Sequence, residues 1–514
     1  MAMWMSFTGH IMWVSVQIWI AFLLITLCTT IYGLFRRRWL MQKLTANFDD
    51  CGLKTSFIWG NSKCYPSANT KEYLDKVNQV FGRMTNYGRD WIGPFLCNIQ
   101  VVSPEYIKIV FANSDSKDSL FTNILRPWTG DAINFTEGAK WKRLRRLFTP
   151  FFQTSILKHY IKIYVDSTEI FLDKISDTKG RSVDVFGHVD LLTLDIAYKY
   201  MYSYESNCQL NEENDYIKAH NTFLEIYMER LRFPPYLFDP IFHLSPSGFK
   251  WRRCLRVILK KPKEEIKKRR LQFKEMEDHG HSEHSEEENR DFLDMLFHAR
   301  DKNGEGLTDQ EICEEVANGM HAGYHNTSVA ISWCLYNFGR LPDYQRKCYE
   351  EVQQLFEEKG NTKLEWDDLK SLPFTTMFIK ESLRFHAPIP GILRKLLQDV
   401  TFPDGTVLPK GTSVVVSPLA THHHPLYWEN PEVFDPYRFL PERSKDRHSY
   451  AYIPFSGGPR NCLGKNLAMN EVKVAIAMTV HRFQIDVDPD KTPEWTQRII
   501  LNSLNGIHLK FFPR

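Results

Sequence analysis

The chain has 514 residues, with 65 Lys and Arg against 62 Asp and Glu, for a formal net charge of +3. So even a balance is ordinary for a soluble body and argues against nucleic acid as a partner. No Pro/Gly/Ser-rich linker divides the length, so one large catalytic domain is expected. The ten cysteines show neither a CxxC pair nor a dense framework, the pattern of reduced thiols facing a cytosol.

From Ile11 to Phe35 no residue is charged, and Trp13, Ile18, Trp19, Phe22, Leu23, Leu24, Ile25 and Ile31 make the stretch apolar enough to cross a bilayer as a helix. Arg36, Arg37 and Arg38 follow at once, so the positive-inside rule puts the bulk of the protein on the cytoplasmic side. A cleaved signal peptide would show a basic start, a shorter apolar run and a small-residue cleavage site. The expected organisation is an anchor with a basic stop over 1–38, a linker and the start of the catalytic domain over 39–90, and the catalytic domain over 91–514.

Phe95 to Val102 predicts a strand, and Ser103-Pro104-Glu105 a helix start. Trp128 to Phe152 is basic and aromatic; within it Trp141 and Arg145 are four apart and share a helical face. Lys140, Lys142, Arg143 and Arg146 make a positive patch beside them, which reads either as a solvated helix face or as a dock for an acidic partner. Helical patterns continue to about Arg270. The polar tract from Glu275 to Arg290 contains His279, His281 and His284 among Glu and Ser, and reads as a solvated loop rather than a metal site.

Thr308-Asp309-Gln310-Glu311 is a capping box that opens a long helix running to about Gly339. Helical patterns follow to Phe385, and Glu381 and Arg384 lie three apart on one face. Short runs at Val400 to Pro403 and Thr412 to Val416 predict a small sheet. From Asn466 the residues Ala468, Val472, Ala475, Ile476, Thr479, Val480 and Phe483 repeat with helical period, so this helix should bury one face. The whole is mostly α with a minor β part.

Just before that last helix stands Phe455-Ser456-Gly457-Gly458-Pro459-Arg460-Asn461-Cys462-Leu463-Gly464. Cys462 sits at a helix mouth, where amides and the positive dipole end favour a thiolate. Gly458 and Gly464 let backbone approach a flat group, and Arg460 offers a fork of donors for a carboxylate. The plain alternative is a turn with an inert cysteine, which five defined positions at fixed spacing argue against.

This decamer resembles the haem-binding signature of the cytochromes P450. The likeness runs from about Asp131 to the C-terminus and is most similar to the family-4 fatty-acid and leukotriene omega-hydroxylases. It implies the P450 fold, haem b with Cys462 as iron ligand, and NADPH-cytochrome P450 reductase as electron donor, with cytochrome b5 as a possible second. It further implies a lipophilic substrate and the endoplasmic reticulum membrane with the catalytic domain in the cytosol. Trp141, Arg145 and Arg394 match positions near haem propionates. Phe434-Asp435-Pro436-Tyr437-Arg438-Phe439 resembles the motif whose arginine joins Glu381 and Arg384 in a structural triad.

The long helix departs from the family pattern of Ala/Gly-Gly-x-Asp/Glu-Thr-Thr/Ser. It reads Ala322-Gly323-Tyr324-His325-Asn326-Thr327-Ser328. Gly323 is kept and would let the helix loosen near a ligand. His325 replaces the acid and can relay protons near neutrality. Asn326 replaces the alcohol and can donate a hydrogen bond but not pass a proton as a hydroxyl does. Thr327 lies about a hundred degrees further round. Ala322 stands where many family-4 members have a glutamate that esterifies the haem, so a covalent link there is chemically impossible. A lipid-hydroxylating monooxygenase is the leading expectation. An isomerase or dehydratase of lipid peroxides, or a haem protein with impaired oxygen activation, stays open on the His325-Asn326 exchange.

Overall fold

The computed structural model describes residues 2–514 apart from 47, 49–52, 67–69, 83, 95, 115–116, 118, 211–213, 279–290 and 498. His279, His281 and His284 thus lie outside the described residues.

Helix α1 (Ala2–Leu44) runs past the apolar stretch into the basic segment. Its span Gln17–Leu44 contains an 18-residue window of mean hydropathy 2.1 that is nowhere buried, long and apolar enough to cross a membrane. Arg38, one of the three arginines, is buried: its guanidinium lies over the rings of Phe57 at 4.9 Å and Trp91 at 4.8 Å, and donates to the Pro94 carbonyl. Good helix formers after Arg38 and this docking carry the helix to Leu44.

Strands β1 (Tyr87–Ile92) and β2 (Leu96–Val101) form an antiparallel hairpin. β1 was not foreseen, because Gly88, Arg89 and Asp90 break its alternation. Helix α2 (Pro104–Ala112) starts where Ser103-Pro104 predicts. Further along come α3 (Ser119–Thr129), α4 (Gly138–Phe148), α5 (Val185–Tyr202), α6 (Asp215–Arg232) and the central α7 (Asp309–Arg340). The capping box forms: Glu311 N–H donates to Thr308 Oγ1 at 3.2 Å and Thr308 N–H to Glu311 Oε2 at 3.0 Å. Then follow α8 (Pro373–Phe385), β3 (Ile392–Lys395), β4 (Ser413–Val416) and α9 (Lys465–Arg482). The strands join in the order β1-β2-β4-β3, with β2 and β4 parallel.

α9 corrects one expectation. From Glu471 to Val480 it is buried all round except at Lys473, not on one face. It packs against α7, α8 and the helices Ile161–Ser176 and Pro342–Lys359. The run Val474-Ala475-Ile476-Ala477-Met478-Thr479-Val480 carries no charge that would need a solvated face.

α7 lies along α5, and where they meet the buried Ser328 hydroxyl donates to Asp190. Burial raises the Asp190 carboxyl to about 7, with the Ser328 bond opposing it. An acid whose folded pKa is raised contributes full stability below its unfolded value, near 4, and the native state loses ground as pH climbs to about 7. Asp190→Asn should remove that decline. Compared with the parent it should gain up to about 4 kcal/mol between pH 4 and 8, read from denaturant midpoints; a variant with the parent's pH profile would refute this.

Candidate functional site

The loop before α9 folds back on itself. Cys462 N–H donates to the Phe455 carbonyl at 2.9 Å, and Asn461 N–H to Gly458 O at 3.1 Å. Gly458 has φ +68°, and a β-carbon on it would meet the Phe111 carbonyl at 3.0 Å, so conformation and α2 together demand glycine. At Gly464 a β-carbon would touch only Phe152, at 3.7 Å, so no protein contact requires glycine there. The Cys462 side chain is reachable by solvent, yet protein crowds it enough that burial raises its thiol. The sulfur therefore lines a deep recess. Opposing the rise are the Gly464 N–H, which donates to the sulfur, and the charges of Arg145, Lys117 and Lys465.

Cations converge on the same recess. Arg394 is 2% exposed and donates to Leu393 O at 2.9 Å and Ser456 Oγ at 2.9 Å, while its buried Nε has no partner among the described residues. Burial, with Arg460 adding, lowers it to about 9. Burial together with Arg394 and Arg460 lowers Lys117 to about 7, against the pull of Cys462. A dianionic group among these three would reverse both shifts. Arg460 stacks on Trp141 at 4.6 Å and donates to Ile133 O at 2.9 Å and Thr136 O at 2.5 Å. Arg145 donates to Asn461 O at 3.0 Å and Asn461 Oδ1 at 2.6 Å, so it pins the cysteine loop to α4. The recess thus offers one thiol at a helix mouth and a cluster of cations, Arg394 buried and Lys117 and Arg460 half-buried, which fits an iron porphyrin with two propionates. Lys117 was missed from sequence, since nothing in its polar loop marks it.

The 131–136 segment joins this loop to α7. Arg460 holds the Ile133 carbonyl while Ile133 N–H donates to Glu315 Oε1 at 2.8 Å, and Asn134 Nδ2 donates to Asn318 Oδ1 at 3.0 Å. On α7, His325 is buried while Ala322 and Asn326 are half-buried. The His325 ring stacks on Tyr324 with centroids 5.4 Å apart and meets His220 of α6 edge-on at 5.1 Å. Asn326 Nδ2 donates to Ala322 O at 3.2 Å, and its buried Oδ1 has no partner among the described residues. Thr327 Oγ1 donates to Gly323 O at 2.8 Å. A β-carbon on Gly323 would sit 1.8 Å from Tyr200 Oη, so the close approach of α5 explains this glycine and α7 runs unbroken through it.

The structural triad assembles. Arg384 donates to Glu381 through Nε at 2.7 Å and Nη2 at 2.9 Å, and Arg438 Nε lies 3.5 Å from Glu381 Oε1. The positive patch on α4 is partly consumed within the chain. Arg143 pairs with Asp301 at 2.7 Å and Lys140 with Glu311 at 3.7 Å, leaving Lys142 and Arg146 exposed.

The cytochrome P450 family model matches residues 52–511. Cytochrome P450 4F4 of Rattus norvegicus is 38% identical over 451 residues, 86% of each chain. The ultra-long-chain fatty acid omega-hydroxylase of Homo sapiens is 38% identical over 446 residues, 86% of this chain and 84% of that one. Leukotriene-B4 omega-hydroxylase 3 of Mus musculus is 38% identical over 453 residues, 86% of each. The crystal structure of the cytochrome P450DA heme domain superposes with TM-score 0.77 at 22% identity, over 90% of this chain and 97% of that chain, a likeness of fold.

Proposed function

This chain belongs to the cytochrome P450 family and is by that membership a haem monooxygenase, and we propose that it hydroxylates a fatty acid or eicosanoid. Its electrons come from NADPH through NADPH-cytochrome P450 reductase, with cytochrome b5 assisting, and the exposed Lys142 and Arg146 offer the docking charge. α1 anchors it in the endoplasmic reticulum membrane with the catalytic domain in the cytosol, residues 39–90 forming the linker and the start of that domain and 91–514 its body. The substrate class rests on the likeness to the omega-hydroxylases; the haem rests on the Cys462 recess and its cations.

When bound, the haem supplies the activation of dioxygen. Cys462 would hold its iron as a thiolate, with the Gly464 N–H, Arg145, Lys117 and Lys465 working against the rise that burial imposes on the thiol. Arg394, Arg460 and Lys117 would hold the propionates, with Trp141 keeping Arg460 in place by stacking. With Ala322 lacking a carboxyl, the haem is held without a covalent bond at that position. One oxygen atom enters the C–H bond and the other leaves as water, which takes up two electrons and two protons. The buried His325 ring would relay protons, and the Asn326 Oδ1, without a partner among the described residues, would accept a hydrogen bond from a water. This economy is weaker than an acid–alcohol pair, so part of the reduced oxygen should leak as peroxide.

Purified protein with reductase and NADPH should convert fatty acid to hydroxylated product. Asn326→Thr should raise product per NADPH severalfold and lower peroxide in step. Fast turnover of a lipid hydroperoxide without NADPH, and no hydroxylation, would instead select the isomerase reading that the His325-Asn326 exchange favours. A normal carbon-monoxide spectrum with neither activity would leave a binder.

A further inference from the structure

Three imidazoles from two helices meet beside α7. His321 and His325 are four apart on α7 and so lie on one face, and His220 approaches from α6. One ring nitrogen of each lies within 4.8 Å of the others. His220 Nε2 is 2.7 Å from His321 Nδ1, and Tyr324 Oη is 2.6 Å from His220 Nδ1. Trp128 of α3 closes the group, its ring edge-on to His220 at 5.5 Å and to His321 at 4.8 Å.

We propose that His220, His321 and His325 bind one divalent cation of the zinc class. Three imidazoles with no carboxylate suit zinc or copper and not the hard, oxygen-seeking calcium or magnesium. Nitrogens about 2.0–2.1 Å from a tetrahedral ion stand roughly 3.3 Å apart, so the His220–His321 pair opens by about half an ångström and the third nitrogen closes in. Both adjustments lie within side-chain rotation. With His220 Nδ1–H donating to Tyr324 Oη, its Nε2 is left as the ligand atom, the arrangement by which metal-binding histidines are ordinarily oriented. His321 is partly exposed, which gives the ion a way in.

Such a cation clamps α6 to α7. It also engages the His325 ring, so it acts as a brake on the proton traffic assigned to that residue. The site stands apart from the hydroxylase reading, because binding is measured without turnover.

Haem-loaded full-length protein, equilibrated with excess zinc chloride and dialysed, should retain one zinc per chain beyond its iron, read by elemental mass spectrometry. Copper in its place should give an electron paramagnetic resonance spectrum split by imidazole nitrogens, a readout that needs no variant. His321→Ala should weaken zinc by at least about a hundredfold and Tyr324→Phe by about tenfold. A chain with His279, His281 and His284 all replaced by alanine should keep its zinc. No retained zinc and no nitrogen splitting, or zinc lost with those three histidines and kept in His321→Ala, would overturn the proposal.

Discussion

Cys462→Ser should abolish the red-shifted carbon-monoxide band of the reduced protein, strip most of the haem during purification, and reduce hydroxylation to background. The serine oxygen is nearly the same size, so the fold of the loop should survive: Cys462 N–H still reaches Phe455 O and Arg145 still holds Asn461. What goes is the anion. A thiol lies within reach of the helix mouth, the Gly464 N–H and three cations, whereas an aliphatic hydroxyl does not ionise under the same influences. Electron donation from the thiolate, general to haem-thiolate enzymes, goes with it. A serine variant with an unchanged band and unchanged haem content would remove Cys462 as the ligand, and with it the functional reading. Circular dichroism should show the helices intact in the same sample.

The residues that sequence revealed are those whose chemistry forces a local pattern. A thiolate at a helix mouth needs its glycines and helix start within a few positions, so the ten residues from Phe455 to Gly464 announce it. Glu381 and Arg384 are legible because three residues is the spacing of a helical face. Lys117 is not, since its meeting with Arg394 and Arg460 depends on how α2, α3 and the sheet pack. His220 lies about a hundred positions from His321 and His325, and only the approach of α6 to α7 brings it near. Glycines show a subtler gap. Sequence marks Gly458 as a place of close backbone approach and Gly323 as one where the helix would loosen, but the atoms that exclude a side chain at each belong to Phe111 and Tyr200. The resemblance places Arg145 near a propionate, and its two Nη donors go to Asn461, because a guanidinium fork also fits a neighbouring backbone carbonyl and amide oxygen.

Glu381→Gln should cost about 3–5 kcal/mol, the range for breaking a buried ion pair on one side, and should empty the cysteine loop of haem in proportion. Glu381 and Arg384 are both fully buried. The carboxylate accepts two bonds from Arg384 and one from Asp435 N–H at 2.8 Å, and faces Arg438 as well. An amide of the same shape keeps at most half of these contacts and leaves two guanidinium charges uncompensated. The effect travels by a connected chain of bonds. Arg384 Nη1 donates to the His422 carbonyl at 2.8 Å, His422 Nε2 accepts from Ile453 N–H at 2.9 Å, and Ile453 O accepts from Ser456 N–H at 3.0 Å, within the loop that ends in Cys462. Accepting at Nε2 requires a neutral ring, and burial holds His422 well below its ordinary pKa. Denaturant midpoints and the yield of carbon-monoxide band per polypeptide should therefore fall together in Glu381→Gln. Arg438→Lys should show the same direction at smaller size, since its side chain is 11% exposed and water can replace part of what is lost. A Glu381→Gln protein within about 1 kcal/mol of the parent would mean that the triad is a bystander, and that the loop is held by its own turns and by Arg145 alone.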